Sequence, residues 1–341
     1  MFRDSEPRVP TALQFAVPQP TALQPAVPQP AVTPPSAAAP PAARPAPVRQ
    51  PKPDWLKVKV PQGERYAWIR DRARSLNLHT VCEEARCPNI GECWQGGTAT
   101  FMLMGDECTR GCRFCSVKTA KHPGTLDGRE PLHIAETIRA MGLDYVVLTT
   151  VNRDDLADQG SAHIAETIRR TQLANPELLI EVLIPDFQGD RACLERVIAA
   201  RPAVLAHNVE TVPRLTPSVR DPRAGFDQSL RVLEHSKRTA PAMRTKSSLM
   251  LGLGEREDEV LDSMRALRGV DVDFLTLGQY LQPDRWNLPV VEYVRPERFT
   301  ALEQAGLAMG FRYVASGPLV RSSYRAAEFF IAQHLRGQSS P

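Results

Sequence analysis

The chain has 341 residues, 42% hydrophobic and 24% charged, the balance of an ordinary soluble globular protein. Forty-two basic residues against 39 acidic ones leave a formal net charge of +3, too small to argue for a nucleic-acid partner. No apolar run reaches the roughly 18 residues that suggest a membrane span, and the start of the chain lacks the basic and apolar blocks of a secretory leader. A cytoplasmic setting is expected, so the seven cysteines read as thiols or metal ligands and not as a disulfide framework.

Residues 1–53 are a different material from the rest. They hold 15 of the 31 prolines and a near-exact repeat, TALQFAVPQP then TALQPAVPQP. Such a segment cannot bury enough apolar surface to offset its ordering entropy, and a disordered, partly polyproline-II arm is expected. From residue 54 the pattern turns globular, with a helix expected over Glu64–Leu76. An N-terminal extension over 54–97 then carries three cysteines, and the apolar run Thr98–Met104 reads as a buried strand. Further strands are expected at Tyr145–Thr150, Leu178–Ile184, Val204–Val209, Ser247–Leu251 and Phe274–Tyr280. Helices alternate with them at Leu132–Met141, Ala162–Leu173, Arg191–Ala200, Phe226–Arg238, Glu257–Leu267 and Pro296–Met309. Six such units imply an α/β fold with a parallel sheet and outer helices, a partial (β/α)6 barrel over 98–312. A C-terminal extension, 313–341, completes the chain.

Six cysteines sit in two sets of three. Cys82, Cys87 and Cys93 read C-x4-C-x5-C; Cys108, Cys112 and Cys115 read C-x3-C-x2-C. Three closely spaced thiolates suit an iron–sulfur cluster or zinc. A structural zinc site normally closes with four ligands, and each set is one short. The second set directly follows the first strand, and chemistry in parallel α/β folds gathers at the C-terminal ends of strands. Cys193, by contrast, falls in a helical pattern and reads as apolar filler. His207 is expected to be a packing residue.

C-x3-C-x2-C on a loop after the first strand resembles the radical S-adenosylmethionine (SAM) superfamily. C-x4-C-x5-C ahead of it, with LTTVNRDDLADQG (148–160), EVLIPDFQGD (181–190), HNVETVPRLTPSVRDPRAGF (207–226), TKSSLMLGLGE (245–255), FLTLGQYLQP (274–283) and GPLVRSSYRA (317–326), resembles the lipoyl synthase family. Asn152 and Arg325 depart from that pattern. The resemblance implies two 4Fe–4S clusters. Cys108, Cys112 and Cys115 would hold the SAM-binding one. Cys82, Cys87 and Cys93 would hold an auxiliary one, with Ser323 of the RSSY motif as its fourth ligand. It also implies SAM contacts from Phe114, Thr149, Arg153, Asp154, Asn208, Glu210, Lys246 and Ser248. The implied reaction inserts two sulfurs into a protein-bound octanoyl chain. The implied partners are octanoylated carrier domains (the glycine cleavage H protein and 2-oxoacid dehydrogenase acyltransferase subunits), a ferredoxin or flavodoxin, and an iron–sulfur carrier for cluster repair. From the residues, the basic stretch Arg65, Arg70, Arg72 and Arg74 is a candidate dock for an acidic carrier. Read without the RSSY pattern, Ser322 and Ser323 are equally helix-capping hydroxyls.

Overall fold

A computed structural model describes residues 51–57, 63–84, 87, 89–95 and 100–322. The expectations for residues 1–50 and for Ser323 and the residues after it lie outside the described residues.

Seven strands run parallel in one sheet: β1 (Thr100–Leu103), β2 (Tyr145–Thr150), β3 (Leu179–Leu183), β4 (Val204–Ala206), β5 (Arg244–Leu251), β6 (Phe274–Gln279) and β7 (Tyr313–Gly317). They lie side by side in chain order, and a two-residue strand, His79–Thr80, pairs antiparallel on the outer edge of β1. The helices follow α1 (Glu64–Ser75) as α2 (Glu130–Met141), α3 (Ser161–Ala174), α4 (Arg191–Ile198), α5 (Phe226–Thr239), α6 (Glu257–Gly269) and α7 (Pro296–Ala308). The six βα units of the sequence pattern are present, and β7 adds a seventh strand to the partial barrel.

Local chemistry explains the boundaries. Asp190 caps α4 by accepting from the Ala192 and Cys193 amides. Pro296 opens α7, where its missing N–H costs nothing. β1 stops before Met104 and Gly105, both in the left-handed region at φ 71° and 85°. β4 is shorter than the expected Val204–Val209, because the chain leaves the ladder at His207, whose buried ring bonds the Ile184 carbonyl and the Ser229 hydroxyl. β5 starts earlier than expected. Its Thr245 amide donates to the buried Asp273 carboxylate, which also holds Lys237 and Arg244.

The strands' period of two sorts the side chains. Val146, Leu148, Ile180, Val182 and Leu205 pack outward with Ile134, Ile138, Ile164, Ile168 and Cys193 of the helices. Leu249, Leu251, Leu275, Leu277 and Val314 meet Val260, Met264, Leu267, Phe299 and Leu302. Each such Leu or Ile is worth about 1.5–3 kcal/mol on burial. The inner face is different. Tyr145, Val147, Val204, Phe274 and Ala315 form one small cluster, which brings β2 against β7 and so requires a curled sheet. Glu181, Lys246, Ser248 and Thr276 take the alternate positions to the outward-packing residues of their strands and give the interior a polar lining.

Candidate metal centre

The turn at Met104 and Gly105 leads directly into the loop of Cys108, Cys112 and Cys115. Glu107–Cys108 and Lys118–Thr119 pair as a short parallel ribbon that frames it. The Cys115 amide bonds the Cys112 carbonyl at 3.1 Å, closing the loop's second turn. The three thiols are half-buried and within electrostatic reach of one another. Burial pushes the Cys112 thiol up to about 11 and the Cys115 thiol up to about 12. Backbone amides nevertheless point at sulfur. Arg110 N and Asn152 N lie 3.4 and 3.3 Å from Cys108 Sγ, and Asp221 N lies 3.3 Å from Cys112 Sγ. Asn152 acts here through its backbone, so its departure from the family pattern leaves this contact intact. Thiols raised by burial, as those of Cys112 and Cys115 are, that also meet amide donors are suited to iron, which displaces the proton and keeps the sulfur anionic. The donor set fits a cluster held by three thiolates.

The loop is clamped by its own middle residues. Arg110, buried between the first two cysteines, donates to Asp154 from Nε at 3.0 Å and Nη2 at 2.8 Å, and to Asp186 from Nη1 at 2.8 Å. Burial disfavours all three charges, but their hydrogen bonds and attraction prevail. Asp186 is held down at about 2 and Asp154 below the usual carboxylate range, while Arg110 is pushed up. Asp221 accepts the Gly111 amide at 2.9 Å, and Arg223 bonds both Asp221 and the Thr109 carbonyl. From the far side, Asn287 donates to the Cys115 carbonyl at 2.8 Å. Sequence reading missed Arg110, Asp186, Asp221, Arg223 and Asn287. An arginine placed between two ligand cysteines was the available signal.

The other cysteine segment is built from two short helices instead of one loop. Cys82 lies in Val81–Glu84 and Cys93 in Ile90–Gln95, both buried, with Cys87 between them. The Cys87 amide bonds the Cys82 carbonyl at 3.0 Å, and burial raises the Cys87 thiol. Trp94, fully buried, packs on Tyr66 of α1 with ring centroids 5.0 Å apart. Ser116, next to Cys115, donates to the Glu84 carbonyl and ties the two cysteine segments together. Asn89 donates to the Leu319 carbonyl at 2.7 Å, and Arg321 lies within electrostatic reach of Cys87. The chain beyond β7 therefore folds back to the auxiliary cysteines.

The remaining candidates divide. Phe114 packs with Tyr280, Leu253 and Val219 at the strand ends. Asn208 hydrogen-bonds Glu210, whose carboxyl is raised by burial and lowered in part by Arg220. Thr149 and Ser248 are buried near the ends of β2 and β5. Arg153 is held by Asp155 and the Gly124 carbonyl, and Asp154 by the Arg110 clamp. Lys246 is not brought to the cysteine loop. Its ammonium is engaged lower in the barrel by Glu181 and the Ser322 carbonyl. Cys193 and His207 are buried packing residues, as expected.

This arrangement has relatives. A sequence model of the radical SAM superfamily matches residues 102–267, and one for the N-terminal domain of lipoyl synthase matches residues 42–87. A lipoyl synthase of Anaeromyxobacter sp. (strain Fw109-5) is 62% identical over 284 residues, 83% of this chain and 96% of that protein. The chain belongs to the lipoyl synthase family. The mitochondrial lipoyl synthase of Homo sapiens, at 58% identity over 82% of this chain and 76% of that protein, places the family on both sides of a wide divide. The crystal structure of Streptococcus suis SuiB bound to precursor peptide SuiA shares the fold. It has a TM-score of 0.50 at 7% identity, over 67% of this chain and 52% of that one. Membership in the lipoyl synthase family, a radical SAM family, implies a 4Fe–4S cluster and SAM.

Proposed function

We propose that the chain inserts two sulfur atoms at carbons 6 and 8 of an octanoyl group attached to a lysine of a carrier domain, consuming SAM. The observation that carries this reading is the pair of three-cysteine segments, tied by Ser116 to Glu84, in a lipoyl synthase chain. Cys108, Cys112 and Cys115 hold the SAM-binding cluster. Cys82, Cys87 and Cys93 hold an auxiliary cluster with Ser323 as fourth ligand. When bound, the first would supply the electron that splits SAM into methionine and a 5′-deoxyadenosyl radical, which becomes 5′-deoxyadenosine by taking a hydrogen atom from the octanoyl chain, and the second would supply the sulfur. Such cofactors are needed because the target carbons are unactivated and no side-chain base can deprotonate them.

The chain's residues bind and orient. Phe114, Thr149, Asn208, Glu210 and Ser248 line the SAM position at the strand ends. Arg153 and Asp154 act one step away, by fixing the loop after β2 to the cysteine loop. The barrel excludes water and holds the target carbon between the two centres. An oxygen ligand suits iron less well than thiolate, so Ser323 marks the iron that is easiest to release.

The substrates on this reading are octanoylated domains, the glycine cleavage H protein and the 2-oxoacid dehydrogenase acyltransferase subunits. The basic stretch Arg65, Arg70, Arg72 and Arg74 is the dock for an acidic carrier. A ferredoxin or flavodoxin supplies electrons, and an iron–sulfur carrier rebuilds the auxiliary cluster. The thiol-rich sites fit the reducing cytoplasm. Among the described residues no helix is long and apolar enough to cross a membrane. Anaerobic single turnover with SAM and an octanoylated carrier, read by mass spectrometry, tests the reading. The carrier is expected to gain sulfur at two positions. Deoxyadenosine without sulfur on the carrier, or no deoxyadenosine at all, overturns it, the latter in favour of an iron–sulfur carrier.

A further inference from the structure

Beyond β7 the chain turns at Gly317 and enters the barrel. Val320 joins the inner cluster of Tyr145, Val147, Val204, Phe274 and Ala315. Its carbonyl passes so close to Gly278 of β6 that a β-carbon there would stand 2.2 Å from the Val320 oxygen. Two residues on, the Ser322 carbonyl accepts from Lys246 Nζ at 2.6 Å. The same ammonium donates to both oxygens of Glu181 at 2.8 Å each, and Tyr145 donates to Glu181 Oε2 at 2.6 Å. Lys246 and Glu181 are each 1% exposed.

An ammonium has three donors. Two go to Glu181 and the third to Ser322, so the set is complete only when the C-terminal strap is in place. A buried lysine–glutamate pair is retained at a desolvation cost that an apolar pair would avoid, and its best-attested use is to fix a particular register. Here the register is that of the strap. Leu319 is held by Asn89 and Arg321 faces Cys87, so Ser322 is the third fixed point of a segment that runs beside the auxiliary cysteines.

We propose that Lys246, oriented by Glu181, is a positioning residue: it latches the Ser322 carbonyl inside the barrel and thereby fixes the strap that leads in sequence to Ser323, the proposed fourth ligand of the auxiliary cluster. This rests on the auxiliary-cluster reading above. It differs from a SAM-contacting role for Lys246, which would need the donor that Ser322 occupies. The latch belongs to the protein itself, and only its purpose belongs to the cluster.

Two variants test it by different routes. Lys246→Met removes the donor. Gly278→Ala leaves Lys246 intact and pushes on Val320. Amide hydrogen exchange of the cluster-free protein reads the latch alone. Both variants are expected to raise exchange in the 319–323 stretch by tenfold or more, with β5 and β6 still protected. The second measurement uses protein that keeps only the auxiliary cysteines (Cys108, Cys112 and Cys115 each replaced by alanine). Iron release to a chelator is expected to quicken severalfold in both variants, to match Ser323→Ala, and not to quicken further when either is combined with Ser323→Ala. Unchanged exchange in both variants overturns the latch. Faster exchange with unchanged iron release overturns its purpose. If Lys246→Met does not fold, Gly278→Ala decides alone. If wild-type protein carries no auxiliary cluster, the reading of the second cysteine set falls, and exchange still reports the latch.

Discussion

The two cysteine segments are neighbours, and among the described residues they are built differently. The C-x3-C-x2-C loop is fastened from within, by an arginine between its first two cysteines that grips two carboxylates from the ends of β2 and β3. The C-x4-C-x5-C segment has no such internal clamp among its described residues. It rests on two short helices, a tryptophan, and contacts with the chain's distant C-terminal part. On the proposed reading, the first design suits a cluster that acts again unchanged, and the second suits one that gives up its sulfur and is rebuilt.

The largest expected effect separates the two roles. Replacing Cys108, Cys112 and Cys115 with alanine should abolish deoxyadenosine formation and leave about four irons per chain. Replacing Cys82, Cys87 and Cys93 should stop sulfur insertion while deoxyadenosine still forms. Equal SAM cleavage by both triple variants would erase the contrast.

Removing the clamp comes next. Arg110→Met leaves Asp186 buried without its cation and Asp154 with Arg223 alone, and should cost about 3–5 kcal/mol in thermal or denaturant unfolding. Arg321→Met, beside the other segment, should cost far less stability. A similar loss at both positions would show that the segments are held alike.

Acid should act first on His207 and then, at lower pH, on the clamp. Asp186 sits at about 2, below its unfolded value of 3.8, so its contribution is present at neutral pH and is lost as pH falls through that range. His207 adds to this in the same direction. It is held neutral, with its value lowered from 6.5 to about 4, chiefly by burial. A lowered histidine contributes fully above its unfolded value and loses that contribution as pH falls toward the folded one. Its share is about 3 kcal/mol. Unfolding measured between pH 7 and pH 4 should therefore slope downward, and His207→Gln should flatten that slope.

The smallest expected effect is at Asn287. Alanine there removes the bond to the Cys115 carbonyl and should cost about 1 kcal/mol, with a modest rise in iron loss from the first site.

How much of this was legible depends on the kind of contact. Periodicity placed the strands and helices because outward Leu, Ile and Val alternate with inward residues along each strand. The cysteine spacings singled out both groups of three, since spacing along the chain is itself the signal. The clamp was not legible, because Arg110, Asp186 and Asp221 meet only through the curl of the sheet. Lys246 illustrates the limit. Its place in β5 was readable, but its partner Glu181 lies 65 residues away and Ser322 lies 76 away. The helical character of the auxiliary segment was also missed, since two- or three-turn apolar periodicity never develops in helices of four and six residues.

The bond from Asn89 to Leu319 joins residues 230 apart. During synthesis every named side-chain partner of the clamped loop has been added to the chain once Asn287 is made. The auxiliary segment waits for the strap, which emerges after β7. Closing so long a loop is slow compared with local pairing. A growing chain thus holds all the named partners of the first thiol segment before it holds those of the second.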